Sequence, residues 1–202
     1  MILLINPLLR NKKLKKDKIK YLLIGLLIIF ISILYLQSLS YHLIYLDDET
    51  LIHKKFEGLT IEEKINFSFS TNYLGGHYYR PITLLFLVIE SGLADNNYSI
   101  YHLTNYLLHL INSVLIYLIL INIGYSNFVS LFPVLIFAGS TLHINAVGWV
   151  AGRGDLLASL FSLYALLLLL KYLRSDKYYF IILVFLFTLL ALLSKEIALL
   201  VP

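Results

Sequence analysis

Two adjacent carboxylates, Asp47 and Asp48, follow the first long apolar stretch of this 202-residue sequence. A carboxylate held at a membrane surface is suited to removing a proton from an incoming hydroxyl, and a neighbouring acid can bind substrate or a cation. The plainer alternative is that the two acids only terminate the stretch. Arg153, in Gly152-Arg153-Gly154-Asp155, and Lys195, in Ser194-Lys195-Glu196, are cations of the kind that neutralise phosphate. Taken singly, each reads first as an interfacial anchor or as the partner of Asp155 or Glu196. His102, Asn105, His109 and Asn112 are spaced 3, 4 and 3 along the chain, so they share one helix face. That stripe suits the wall of a substrate groove or a pair of metal ligands, but interhelical hydrogen bonding takes precedence. Asp155, Ser159 and Ser162 make a similar stripe. No H-E-x-x-H, no G-x-S-x-G and no phosphate-binding glycine loop occurs. With zero Cys, a disulfide scaffold, a thiolate metal site and cysteine catalysis are excluded.

The elements that must position these residues follow from composition. The chain is 59% hydrophobic and 14% charged, against about 45–50% and about 25% in soluble domains. A soluble domain of this size cannot hide so much apolar surface, and disorder requires low hydrophobicity. The expected class is an all-α polytopic membrane protein with about five transmembrane helices. A span needs about 20 apolar residues. Residues 21–40, 99–123, 128–148, 156–172 and 178–193 meet or approach that requirement, and 197–202 reads as the start of a sixth. Residues 82–93 form a short apolar segment carrying Glu90, better suited to an interfacial helix.

Residues 1–20 read as a basic cytoplasmic lead. Arg10, Lys12, Lys13, Lys15, Lys16, Lys18 and Lys20 stand there against Asp17, directly before the first span, as the positive-inside rule requires. A nucleic-acid partner is therefore not expected. If 82–93 stays at the surface, residues 41–98 form one extracytoplasmic loop with a turn at Gly75-Gly76. The loop holding Lys171, Arg174 and Lys177 then faces the cytoplasm, and 99–202 carries spans two to five and the start of six. Parity alone puts Asp47, Asp48, Glu49, Arg80, Arg153, Asp155, Lys195 and Glu196 on one face of the bundle.

Four stretches resemble a known family. They are Asp47-Asp48 with Leu51-Ile52; Tyr79-Arg80-Pro81-Ile82-Thr83, similar to Y-R-P-L-T; Tyr101 to Asn112, close to H-L-x-N-x-x-L-H-x-x-N; and His143 through Trp149 and Gly152-Arg153-Gly154-Asp155 to Ser194-Lys195-Glu196. In this order they resemble the C-superfamily of integral-membrane glycosyltransferases. The nearest likeness is to the transmembrane and tetratricopeptide-repeat O-mannosyltransferases and their prokaryotic relatives. Two departures stand out. Relatives have H-P-x-H-x-E-A where this chain has Leu142-His143-Ile144-Asn145-Ala146, and they continue for several more spans, so an N-terminal fragment is expected.

The resemblance implies a polyprenyl-phosphate-linked sugar donor, mannose by family expectation, and a protein or glycan acceptor. Transfer would be inverting, at the extracytoplasmic face of the bilayer. It implies Asp47 as base and Asp48 as its support. Arg153 and Lys195 would hold the lipid phosphate, joined by Arg80. His102, Asn105, His109, Asp155 and Glu196 would line the substrate groove. No metal ligand is assigned; whether a divalent metal takes part is left open. The composition leans toward a prokaryotic plasma membrane, with the endoplasmic reticulum membrane as the eukaryotic equivalent. Two other readings stand beside the enzyme: a non-catalytic or truncated membrane scaffold, and a transporter subunit, which calls for ionisable groups or broken helices near the midplane.

Overall fold

The computed structural model describes residues 7–43, 47–54, 56, 58–74, 78–94 and 97–200. The expected Gly75-Gly76 turn and the last residues of the expected sixth segment lie outside them. So do the side chains of Arg10, Lys12, Lys13, Lys15 and Lys16. The described chain is helical, apart from one isolated antiparallel bridge between Tyr73 and Tyr78.

Among the described residues, nine α-helical segments follow in order: α1 (Pro7–Tyr35), α2 (Asp47–Glu49), α3 (Ile61–Ser70), α4 (Pro81–Ala94), α5 (Ser99–Ile123), α6 (Asn127–Gly139), α7 (Ile144–Gly148), α8 (Arg153–Ser175) and α9 (Tyr179–Ser194). Among the described residues, three stretches are long and apolar enough to cross a membrane: Asp17–Ser40, Ser99–Ile123 and Val150–Ser175. The basic lead is not a separate element. Pro7, preset for a first helical turn, opens α1, and the basic residues ride on the same helix as the first span.

The expected span 128–148 is two pieces. Asn127–Gly139 and Thr141–Gly148 meet at a 50° bend. Ser140 sits in extended conformation at the break, and its hydroxyl accepts from the Leu142 N–H at 3.4 Å. Pro133 inside α6 removes one further ladder hydrogen bond. The last expected span is the 16-residue helix α9, and 82–93 falls within the 14-residue helix α4. The chain then forms a short 3-10 turn, Glu196–Leu200.

Helix α5 is the hub. One side of it packs on α1 and α6 through Tyr106 and Tyr117 against Leu27, Ile31, Val134 and Ala138. The other side meets α8 through Leu108, Leu115 and Ile119 against Leu156, Leu157 and Leu167. Ala158 of α8, Ala191 of α9 and Ala198 form a cluster of small residues, which lets helix backbones approach closely inside a bilayer. The loop after α1 folds over one end of this bundle as a cap. Leu51, Phe56 and Tyr73 are buried there with Leu84, Leu87 and Val88 of α4 and with Val150-Ala151. A capping box starts α3: Thr60 accepts from the Glu63 N–H while Glu63 accepts from the Thr60 N–H. The backbone N–H of Thr60 also holds the Glu63 carboxyl below the usual range.

Candidate functional site

The cap, the start of α8 and the end of α9 are joined by polar side chains. Arg153 opens α8 and is fully buried. Its Nε donates to Asn105 Oδ1 at 2.9 Å, one terminal nitrogen donates to the carbonyl of Tyr101 at 2.8 Å, and the other pairs with Glu90 of α4. Arg153 therefore bridges three helices, and its guanidinium does not face the surface. This differs from the expected phosphate ligand. The reason is Glu90: a carboxylate buried in an apolar helix requires a cation, and Arg153 supplies it. The glycines flanking Arg153 allow the approach. A Cβ on Gly152 would meet backbone atoms of Ala146 and Asn145 at 3.0 Å, and one on Gly154 would meet the Ser194 carbonyl at 3.4 Å.

The two carboxylates of α2 divide. Asp48 is fully buried and accepts the N–H of Ala151 at 2.7 Å and that of Val150 at 3.4 Å. It thereby caps the turn that leads into α8. Tyr73 donates to the Ala151 carbonyl at 3.1 Å, so both sides of this turn are held by the cap. Burial pushes the Tyr73 hydroxyl well above its ordinary value. Asp47 is half-buried beside this clamp.

Two further ion pairs stand at the same end. Arg80 Nε donates to Glu196 Oε2 at 2.9 Å in a two-pronged pair, with its guanidinium over the rings of Tyr73 and Tyr78. The Arg80 hydrogen bond holds the Glu196 carboxyl below its usual range. Lys195 Nζ donates to both Asp155 oxygens at 2.7 Å. Thr83, one turn into α4, donates to the Ser194 carbonyl at 2.8 Å. Asp48, Arg80, Glu90, Arg153, Asp155, Lys195 and Glu196 thus belong to one connected end of the bundle.

The stripe on α5 serves the bend. Asn105 Nδ2 donates to the carbonyls of Ala146, Val147 and Trp149 at 3.0–3.3 Å, closing the end of α7. His109 Nε2 lies 3.3 Å from the Ala138 carbonyl, and Asn112 Nδ2 donates to the Leu156 carbonyl at 3.0 Å. His102 is fully buried, with Tyr41 edge-on at 6.2 Å. Of the expected groove residues, His102, Asn105 and Glu196 do not line the cavity that His109, Asn112 and Asp155 border.

That cavity has a volume of about 300 Å³ and lies between α5, α6, α7 and α8. His109, Asn112, His143, Trp149, Asp155 and Ser159 supply its polar wall. Among the described residues, no group of three or more His, Cys, Asp or Glu stands close enough to hold a metal ion. Sequence reasoning gave no site role to Tyr73 or Trp149, and it read Glu90 only as part of a short interfacial segment. Glu90 carried the one usable signal, since a carboxylate inside a twelve-residue apolar run needs a buried partner.

No known family profile matches the chain, and no solved structure matches it. Human protein O-mannosyl-transferase TMTC3 is 37% identical over 97 residues, which is 48% of this chain and 10% of that protein. The chain thus spans about a tenth of the length of that relative. The match and the all-helical, apolar architecture together make this an all-α membrane-type chain with a partial likeness to an O-mannosyltransferase.

Proposed function

We propose that the chain carries a catalytic part of a membrane glycosyltransferase. It would move a sugar, mannose by likeness, from a polyprenyl-phosphate carrier to an acceptor hydroxyl at the extracytoplasmic face. The N-terminus would then be cytoplasmic. The observation that carries this reading is the 97-residue likeness to a named O-mannosyltransferase. Supporting it is the gathering of acids and cations at one end of the bundle, where a lipid phosphate and a soluble acceptor can meet.

In this reading Asp47 takes the proton from the acceptor hydroxyl. The oxygen attacks the anomeric carbon from the face opposite the leaving group, and the bond from that carbon to the phosphate oxygen breaks. The lipid phosphate departs with the electron pair. Asp48 positions Asp47, because its clamp on Val150 and Ala151 fixes the turn that both acids share. Lys195 and Arg80 are the cations at the surface of this end. Their carboxylate partners Asp155 and Glu196 are 44% and 48% exposed on their side chains, so an incoming phosphate can compete for either cation. Arg153 enters as a positioning residue that fixes the start of α8.

The test is Asp47→Asn in the full-length protein, with transfer from polyprenyl-phosphoryl mannose measured at equal membrane level. Removing a general base costs about 10²–10⁴-fold. Unchanged transfer overturns the base assignment, and absence of transfer by the unaltered protein favours the scaffold.

A further inference from the structure

The cavity between α5, α6, α7 and α8 is polar in an unusual way. His109 and Asn112 are at most 1% exposed, yet His109 Nδ1 and Asn112 Oδ1 have no hydrogen-bond partner among the described residues; the same holds for the buried Trp149 Nε1. Buried polar atoms are nearly always paired, and each left alone costs about 1–3 kcal/mol. All three residues line the one cavity.

Their chemistry restricts what could satisfy them. A carbonyl only accepts, so His109 Nε2 carries the hydrogen toward Ala138 and Nδ1 is left an acceptor. Asn112 gives its amide N–H to Leu156, so its Oδ1 is also an acceptor. Trp149 Nε1 is a donor only. Two acceptors, one donor and the Ser159 hydroxyl match groups that both donate and accept, as hydroxyls do. A phosphate does not fit here. It offers acceptors to acceptors, the wall itself carries the Asp155 carboxylate while Lys195 lies outside it, and the guanidinium of Arg153 points into the Glu90, Asn105 and Tyr101 cluster. The rings of Trp149, Phe137 and His143 supply flat apolar faces beside these polar atoms. At about 300 Å³ the cavity lies at the small end of ligand pockets, which run about 300–1,000 Å³. It has room for one ring-sized group.

We propose that this cavity binds the uncharged ring of a single polyhydroxylated sugar, gripped by His109, Asn112 and Trp149, with the phosphate left outside at the charged end of the bundle. The inference rests on the glycosyl-transfer reading for its choice of probe.

The chain has one tryptophan, so its emission reports on this cavity. Full-length chain in lipid nanodiscs is titrated with farnesyl-phosphoryl mannose and, separately, with sugar-free farnesyl phosphate. The expected result is a saturable emission change with the mannosyl lipid alone. Asn112→Ala should weaken that response at least tenfold and Ser159→Ala severalfold, both with unchanged helicity. If Asn112→Ala fails to fold, Ser159→Ala carries the test, because Ser159 is exposed and has no hydrogen-bonding role in packing. An equal response to farnesyl phosphate overturns the proposal in favour of a lipid or phosphate site. No response while the same protein transfers mannose overturns it and leaves the proposed function standing, with the cavity holding water only. No response and no transfer sinks both.

Discussion

The charged end of the bundle and the cavity one to two turns deeper are both polar, but they handle their polar groups oppositely. At the charged end Asp48 holds two backbone N–H groups, Arg153 has all its edges engaged, and Arg80 and Lys195 each grip a carboxylate. In the cavity wall, Asn112 and His109 each bond one backbone carbonyl and leave the other side-chain atom open. The contrast separates polarity that builds the fold from polarity that is available to a ligand. Electrostatic energy is strongest where water is absent, so the buried charges set the architecture, and the neutral groups with one free edge are left for recognition.

The largest test of this contrast is Arg153→Met. Removing one partner of a buried pair costs about 3–5 kcal/mol, read as a lower midpoint of unfolding in mixed micelles. Arg153→Met combined with Glu90→Gln should recover part of that loss, because no charge then stays buried alone. Next comes Gly152→Ala. Its Cβ would press on the backbone of α7 at 3.0 Å, and overpacking of this kind costs about 1–3 kcal/mol. Gly25→Ala in α1 is the matched control. A Cβ there meets nothing within 4 Å, and replacing a mid-helix glycine should stabilise by about 0.5–1 kcal/mol.

A smaller effect follows from pH. The Glu196 carboxyl is held below its usual range by Arg80, so its pair contributes fully above the ordinary carboxylate value. That contribution disappears as pH falls through the lowered value. Because the Glu196 side chain is 48% exposed, the loss is about 0.2–1 kcal/mol, and Glu196→Gln should flatten this part of the profile. The smallest change in stability is expected of Trp149→Phe, within about 0.5 kcal/mol, since the indole N–H has no partner to lose. Asn105→Ala should be far more damaging than Trp149→Phe, as three carbonyls at the α7 end lose their donor.

Much of this arrangement was legible in the sequence. Hydropathy located the long apolar helices, and the 3, 4, 3 spacing put His102, Asn105, His109 and Asn112 on one face of α5. The break at Gly139-Ser140 was not legible, because an apolar run of the right length looks the same whether straight or bent. The fate of Arg153 was hidden for a different reason. Periodicity gives the face on which a residue lies but not its partner, and Glu90 lies 63 residues earlier in the chain. The unequal roles of Asp47 and Asp48 were likewise invisible, since only the three-dimensional turn at Val150-Ala151 distinguishes two adjacent acids.

The Glu90–Arg153 pair also has a calendar. With 63 residues between the partners and synthesis at about 5–20 residues per second, Glu90 emerges roughly 3–13 s before the guanidinium that neutralises it. Asp48 waits longer still for Val150 and Ala151, which are 102 and 103 residues ahead. The cap is therefore made early and fastened late, and its closure reports that the α8 segment has arrived.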